Sequence, residues 1–256
     1  VNAMHLSAKQ KENMRTFKDR KWVQRALAIV IFIIMGMFLN TCVPMSLAFA
    51  KQHDWLFSGL IFGVGVVLSI GFLALLRILW RYIPYNDKED NNVSAREGWL
   101  WFAVAVVIYF IVQVIISLTT THSFEPPKYP INTFVIIMLW WFLGIVAPIF
   151  EEVIMRGFFL TIFFKNPHMY NYISEKISPR LIQMITGVVV SALITTYLHY
   201  NSGSLMANIG FFINGVLAAI LFYRTKRIRY SILLHMINNH IVVVILILYH
   251  LGWVSA

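Results

Sequence analysis

The chain has 256 residues, of which 59% are hydrophobic and only 12% charged, against about 45–50% and about 25% in ordinary globular proteins. So little charge cannot cover a water-soluble globule of this size, and eight tryptophans, eleven tyrosines and twenty phenylalanines suit interfacial belts and packed apolar spans. The formal charge of +10 fits basic loops that set membrane topology rather than nucleic-acid binding, and the lone Cys42 excludes an intrachain disulfide.

Residues 1–21 form a polar N-terminal tail. The apolar segment behind it is too long for the h-region of a cleavable signal peptide. A bilayer core takes about 20 apolar residues per helix. Such runs are expected at Trp22–Ala50, Leu56–Ile83, Trp99–Thr120, Ile131–Phe164, Leu181–His199, Leu205–Tyr223 and Tyr230–Trp253. The fold class is therefore an all-α polytopic membrane helix bundle of about seven transmembrane helices, with residues 22–256 as one integral membrane domain. Asn86–Arg96 reads as a polar loop, and Lys165–Arg180 as a short amphipathic helix at the interface.

With the N-terminus cytoplasmic, eighteen lysines and arginines fall in cytoplasmic segments, and only Lys51 and Lys128 fall outside. This asymmetry places the N-terminus inside and the C-terminus outside. The fourth run is longer than one perpendicular crossing and contains Pro148. Proline lacks an N–H and clashes with the preceding turn, so a kink or break is expected near Ala147–Ile149. A full break would give an eighth segment, the alternative count.

Nine of the eleven acidic residues lie in tails and loops; Glu151 and Glu152 lie in the apolar sequence APIFEEVIMRGFFL, with Arg156 one turn later. An ionisable group at such depth costs about 2.5–3.5 kcal/mol on insertion scales, which makes it a functional candidate by default. Glu152 and Arg156 stand at i,i+4 and within salt-bridge reach. Glu151, rotated by about 100°, is left for another partner. A carboxylate neutralised by a guanidinium beside one that is not suits acid–base work. The competing structural reading is an ion-pair cluster that bridges helices.

Three further polar groups stand in apolar segments. His199 closes the fifth run (TTYLHYN), while His235 and Asn239 share one face of the last (ILLHMINNH), with Asn238 and His240 pointing elsewhere. Each must find company inside the bundle.

The order EEVIMR, then a histidine at a helix end, then His235-x-x-x-Asn239, resembles the CPBP (Abi) family of intramembrane proteases. That family includes the eukaryotic CAAX prenyl endopeptidase and bacterial bacteriocin-processing and immunity proteins. Its hallmarks are EExxxR, FxxxH and HxxxN/D. The resemblance covers residues 131–256, and one position departs from it: Thr195 stands where the pattern has phenylalanine, which puts packing beside His199 or substrate preference in doubt.

The resemblance implies an intramembrane endopeptidase with Glu151, Glu152, Arg156, His199, His235 and Asn239 as its site. Glu151 would activate a water held with His199. His235 and Asn239 would donate to the oxyanion, and Glu152 with Arg156 would orient the helix. No cofactor is implied. The expected partners are the lipid bilayer and a peptide or protein substrate at the membrane. The expected location is the cell membrane of a prokaryote. Three other functions compete: a zinc-type hydrolase using the same carboxylates and histidines, a proton-coupled transporter, and a non-catalytic scaffold or immunity protein. One expectation strains the joint site. The topology sets His199 at the outer end of its helix and His235 near the inner end of its own, about 15 Å or more apart in depth, unless the stretch His199–Ser204 dips inward, the helices tilt or the helix boundary before Leu181 differs.

Overall fold

The computed structural model describes residues 8–79, 93–119, 131–160, 179–199 and 205–253. All its regular elements are helices: α1 (Ala8–Lys51), α2 (Trp55–Leu79), α3 (Ala95–Thr119), α6 (Pro179–Leu198), α7 (Leu205–Thr225) and α8 (Ile228–His250). Between α3 and α6 runs one composite helix built of α4 (Thr133–Leu139), a π-helix π1 (Trp140–Val146), α5 (Ala147–Glu152) and a second π-helix π2 (Val153–Phe159). Most of the interfacial helix expected at Lys165–Arg180 and of the loop expected at Asn86–Arg96 lies outside the described residues.

Among the described residues, six helices are long and apolar enough to cross a membrane, and a shorter apolar helix spans Met184–Leu198. These are the seven runs read from the sequence. A chain in hydrocarbon must satisfy its backbone internally, and helices do so within each segment. The outward faces are apolar, as with Val67 (70% exposed) and Leu118 (82%), so they can meet lipid at no cost in polar desolvation. The polar N-terminal tail does not end where α1 begins: α1 starts at Ala8 and runs unbroken to Lys51.

α1 and α2 pair through reciprocal hydroxyl-to-carbonyl bonds, Ser46 Oγ to Ser58 O and Ser58 Oγ to Ser46 O, each 2.9 Å. Their aromatic side chains then pack on the composite helix: the Phe32 ring lies 4.5 Å from Phe72 and 5.3 Å from Phe150. A second core joins α3, α7 and α8 around Tyr109, Leu221, Tyr230 and Leu234. The composite helix belongs to the first core, to which it contributes Val135, Met138, Phe142 and Val153.

No break falls at Pro148. The helix continues through it, and the disturbance takes the form of the two π segments on either side of α5. Asn132 caps the start, its side chain accepting from Val135 N at 2.9 Å. The eight-segment alternative is thereby removed for residues 133–160.

Candidate active site

The geometry of the site starts from one missing hydrogen. Ala147 N–H donates to Phe142 O, five residues back rather than four. The next residue, Pro148, has no N–H to give. Leu143 C=O is therefore passed over by both, and Asn239 on α8 takes it, donating from Nδ2 over 2.7 Å. A π turn inserts a residue into the helical register and re-aims the residues beyond it. In this chain those residues form α5, which carries the two glutamates. The second π segment ends with Leu160 N–H bonded to Met155 O.

Glu152 is turned into the protein. Arg156 Nη1 donates to its Oε1 at 2.9 Å, and both side chains are 1% exposed. Arg156 Nη2 donates to Gly215 O at 3.0 Å on α7, and His235 Nδ1 lies 3.1 Å from the same Glu152 oxygen. Gly215 is required there: a Cβ would stand 2.9 Å from the Ala192 Cα, so only glycine lets α6 and α7 approach this closely. The i,i+4 pair read from the sequence is present, and it ties the composite helix to α7 and α8. Removing either charge would leave the other uncompensated in an apolar interior.

Glu151 faces the other way and is 26% exposed. Its Oε2 lies 3.4 Å from His199 Nε2 and 3.8 Å from His235 Nε2. The two imidazole rings are 6.5 Å apart, centroid to centroid. The depth gap expected between His199 and His235 is thus overturned, for two physical reasons. The apolar part of α6 is short, about 22 Å at 1.5 Å per residue, against about 30 Å of hydrocarbon, so its end need not reach the far interface. The His199 ring also folds back along the helix, with Nδ1 2.9 Å from Thr195 O.

That contact fixes a tautomer. A carbonyl oxygen only accepts, so Nδ1 carries the hydrogen and Nε2 is left to face Glu151. Phe211 on α7 stacks on the His199 ring at 5.0 Å. The aromatic missing at Thr195 is thus supplied from the neighbouring helix. Thr195 itself contributes its carbonyl to His199 and turns its hydroxyl to Ser191 O, 3.0 Å away.

Asn239 shares a helix face with His235, as the spacing requires, but sits one turn further along and meets Leu143 rather than the carboxylates. Its Oδ1 accepts from Asn238 Nδ2 at 2.9 Å, and Asn238 Oδ1 in turn accepts from the Tyr109 hydroxyl. A directed chain runs from α3 through Tyr109, Asn238 and Asn239 to Leu143 C=O. Sequence reading missed Tyr109 and Asn238. The available signal was a phenol and an amide in apolar runs, each of which needs a polar partner. His240, also set aside, accepts from the Trp140 indole at 3.1 Å with Nε2, while its Nδ1 faces Met236 O at 2.7 Å.

A cavity of about 370 Å³ opens beside Glu151 and His199, walled by the composite helix, α1 and the end of α6. Leu143 is part of its lining. Among the described residues, no group of three or more His, Cys, Asp or Glu side chains is arranged to hold a metal ion. The site therefore presents a partly accessible carboxylate between two imidazoles, a buried neutral ion pair behind it, and an apolar chamber in front.

Comparison with known proteins agrees. The family described as "Type II CAAX prenyl endopeptidase Rce1-like" matches residues 132–241, from the cap of α4 into α8. The curated "Membrane-embedded CAAX protease MroQ" of Staphylococcus aureus (strain USA300) is 22% identical over 234 residues, covering 88% of this chain and 89% of that protein. No solved structure matches the chain. The matched family segment contains all six residues singled out from the sequence. By motif order, helical architecture and both comparisons, the chain is similar to proteins of the CPBP/CAAX protease family.

Proposed function

We propose that the chain is an intramembrane endopeptidase in which Glu151 activates water against a peptide bond of a membrane-associated peptide or protein. The observation that carries this reading is the placement of Glu151 Oε2 3.4 Å and 3.8 Å from the Nε2 atoms of His199 and His235, at a cavity. Glu152, by contrast, is neutralised by Arg156.

In this mechanism a water donates one hydrogen to Glu151 and the other to His199 Nε2, which aims its lone pair at the scissile carbonyl. Glu151 takes the proton as the oxygen attacks carbon, and the carbonyl becomes a tetrahedral oxyanion. Glu151 then returns the proton to the amide nitrogen, the C–N bond breaks, and a carboxylic acid and an amine leave. General-base assistance of this kind contributes about 10²–10⁴-fold.

His235 serves the oxyanion. Its Nδ1 faces the Glu152 carboxylate, which only accepts. For Nε2 to donate as well, the ring must carry both protons, and Glu152 is placed to stabilise that cation. Asn239 has a second amide hydrogen beyond the one given to Leu143, and it acts as the second donor once Leu143 C=O has fixed the amide plane. One such donor is worth about 2.7–4 kcal/mol. Arg156 holds Glu152 and so positions His235. The mechanism uses no metal. The basic-residue asymmetry supports a cytoplasmic N-terminus, and the bacterial relative supports the cell membrane of a prokaryote.

The test is digestion of a peptide library by the detergent-purified protein in ¹⁸O-enriched water, with and without chelator. The expected product is a new C-terminal carboxylate carrying ¹⁸O, formed equally in both. An uncut library would overturn the protease reading, and chelator-sensitive cleavage restored by zinc would overturn the metal-free mechanism.

A further inference from the structure

One wall of the cavity comes from α1, outside the segment that matches the family description. Gly36, Leu39 and Val43 are spaced three and four apart and so share one helix face; all three line the same chamber as Glu151 and His199. At Gly36 the α1 backbone touches the aromatic wall: a Cβ there would clash with the Phe150 ring, so any larger residue would push α1 away. One and two turns on, Leu39 and Val43 continue the lining of the chamber. The opposite face of α1 is apolar and outward, with Met37 65% and Phe38 63% exposed. α1 therefore divides the chamber from the surrounding bilayer.

We propose that α1 is the selecting wall of the site, and that Leu39 and Val43 set the size of the apolar substrate side chain accepted beside the scissile bond. This rests on the protease reading. Glu151 and His199 line the chamber themselves, so a substrate group that fills it lies next to the bond being cut. About 370 Å³ lies at the small end of ligand sites, which run from about 300 to 1,000 Å³. A single apolar side chain with its adjoining backbone suits that space, and the α1 residues described in its lining, Gly36, Leu39 and Val43, are apolar. A mismatch of one methylene in an apolar pocket changes kcat/KM by about 10–200-fold. Two side chains on a wall of this size are enough to decide between small and large residues.

The experiment uses the full chain in detergent. The cleavage position is mapped on a wild-type substrate, and peptides with Ala, Leu or Phe at each flanking position are then compared, with Glu151→Gln as the control. Val43→Trp should lower the Phe-to-Ala ratio of kcat/KM at one flanking position by tenfold or more. Leu39→Ala, which enlarges the same wall, should raise it. Unchanged ratios in both variants, with wild-type cleavage still dependent on Glu151, would overturn the proposal and leave the protease reading standing. Absence of any Glu151-dependent cleavage would overturn both. A parallel set carries a prenyl or acyl chain on the peptide. If the variants alter only the preference for lipidated over plain peptide, the chamber holds a lipid chain and the side-chain assignment is wrong.

Discussion

Asn239 Nδ2 donates to Leu143 O across 2.7 Å, linking residues 96 positions apart. The bond occupies the carbonyl that Ala147 and Pro148 leave without a helical partner. Asn239→Ala should therefore affect more than chemistry. A buried acceptor left unsatisfied costs about 1–3 kcal/mol, so the variant should unfold at lower temperature in detergent and cleave at least a hundredfold more slowly. Thermal denaturation followed by peptide cleavage checks both.

Arg156→Ala should be the most destabilising change at the site. It leaves the Glu152 carboxylate buried with His235 alone, and breaking a buried pair costs about 3–5 kcal/mol. Replacing both charges together, Glu152→Leu with Arg156→Met, should recover most of that stability, because an apolar pair of similar volume suits the interior. It should not recover cleavage, since His235 loses the acceptor that orients it. Denaturation midpoints and rates of the single and double variants separate the two effects.

Tyr109→Phe removes the first donor of the chain that ends at Leu143. The net worth of a typical hydrogen bond is about 0.5–1.5 kcal/mol, so a small loss of stability is expected. Turnover should fall by several-fold with KM unchanged, because the phenol acts on the Asn239 amide and not on substrate. A KM increase with unchanged kcat would contradict this role.

Phe211→Ala should loosen the His199 ring without altering its chemistry. Ring pairs contribute about 0.5–1.5 kcal/mol beyond their burial, and a loss of that size in orientation amounts to a several-fold drop in kcat. Phe211→Tyr should retain most activity. Thr195→Val should be nearly silent, because His199 uses the Thr195 carbonyl and not its hydroxyl.

The membrane bundle was legible from apolar run lengths alone, and so was the Glu152–Arg156 pair, because i,i+4 contacts are local geometry. The response of the helix to Pro148 was not. The missing N–H is visible in the sequence, but whether the helix breaks or widens depends on Asn239, a partner from another helix. A shared site for His199 and His235 was implied by the resemblance, but their depth was misjudged for a similar reason. Counting residues from helix ends gives backbone depth, whereas the contact depends on a short α6 and a ring folded back onto Thr195. Phe211 and Tyr109 are aromatic residues in apolar spans, where sequence offers no way to tell a ring that supports the site from one that packs the core.

Peptide cleavage by Glu151→Gln, measured on protein whose thermal unfolding matches wild type, tests the central claim most directly. Glutamine keeps the size of the side chain and its hydrogen bonds but cannot take a proton from water. The rate should fall by about 10²–10⁴-fold, the contribution of a general base, while fold and expression stay intact. Cleavage at the wild-type rate would show that Glu151 is not the base, and that its place between His199 and His235 serves structure alone.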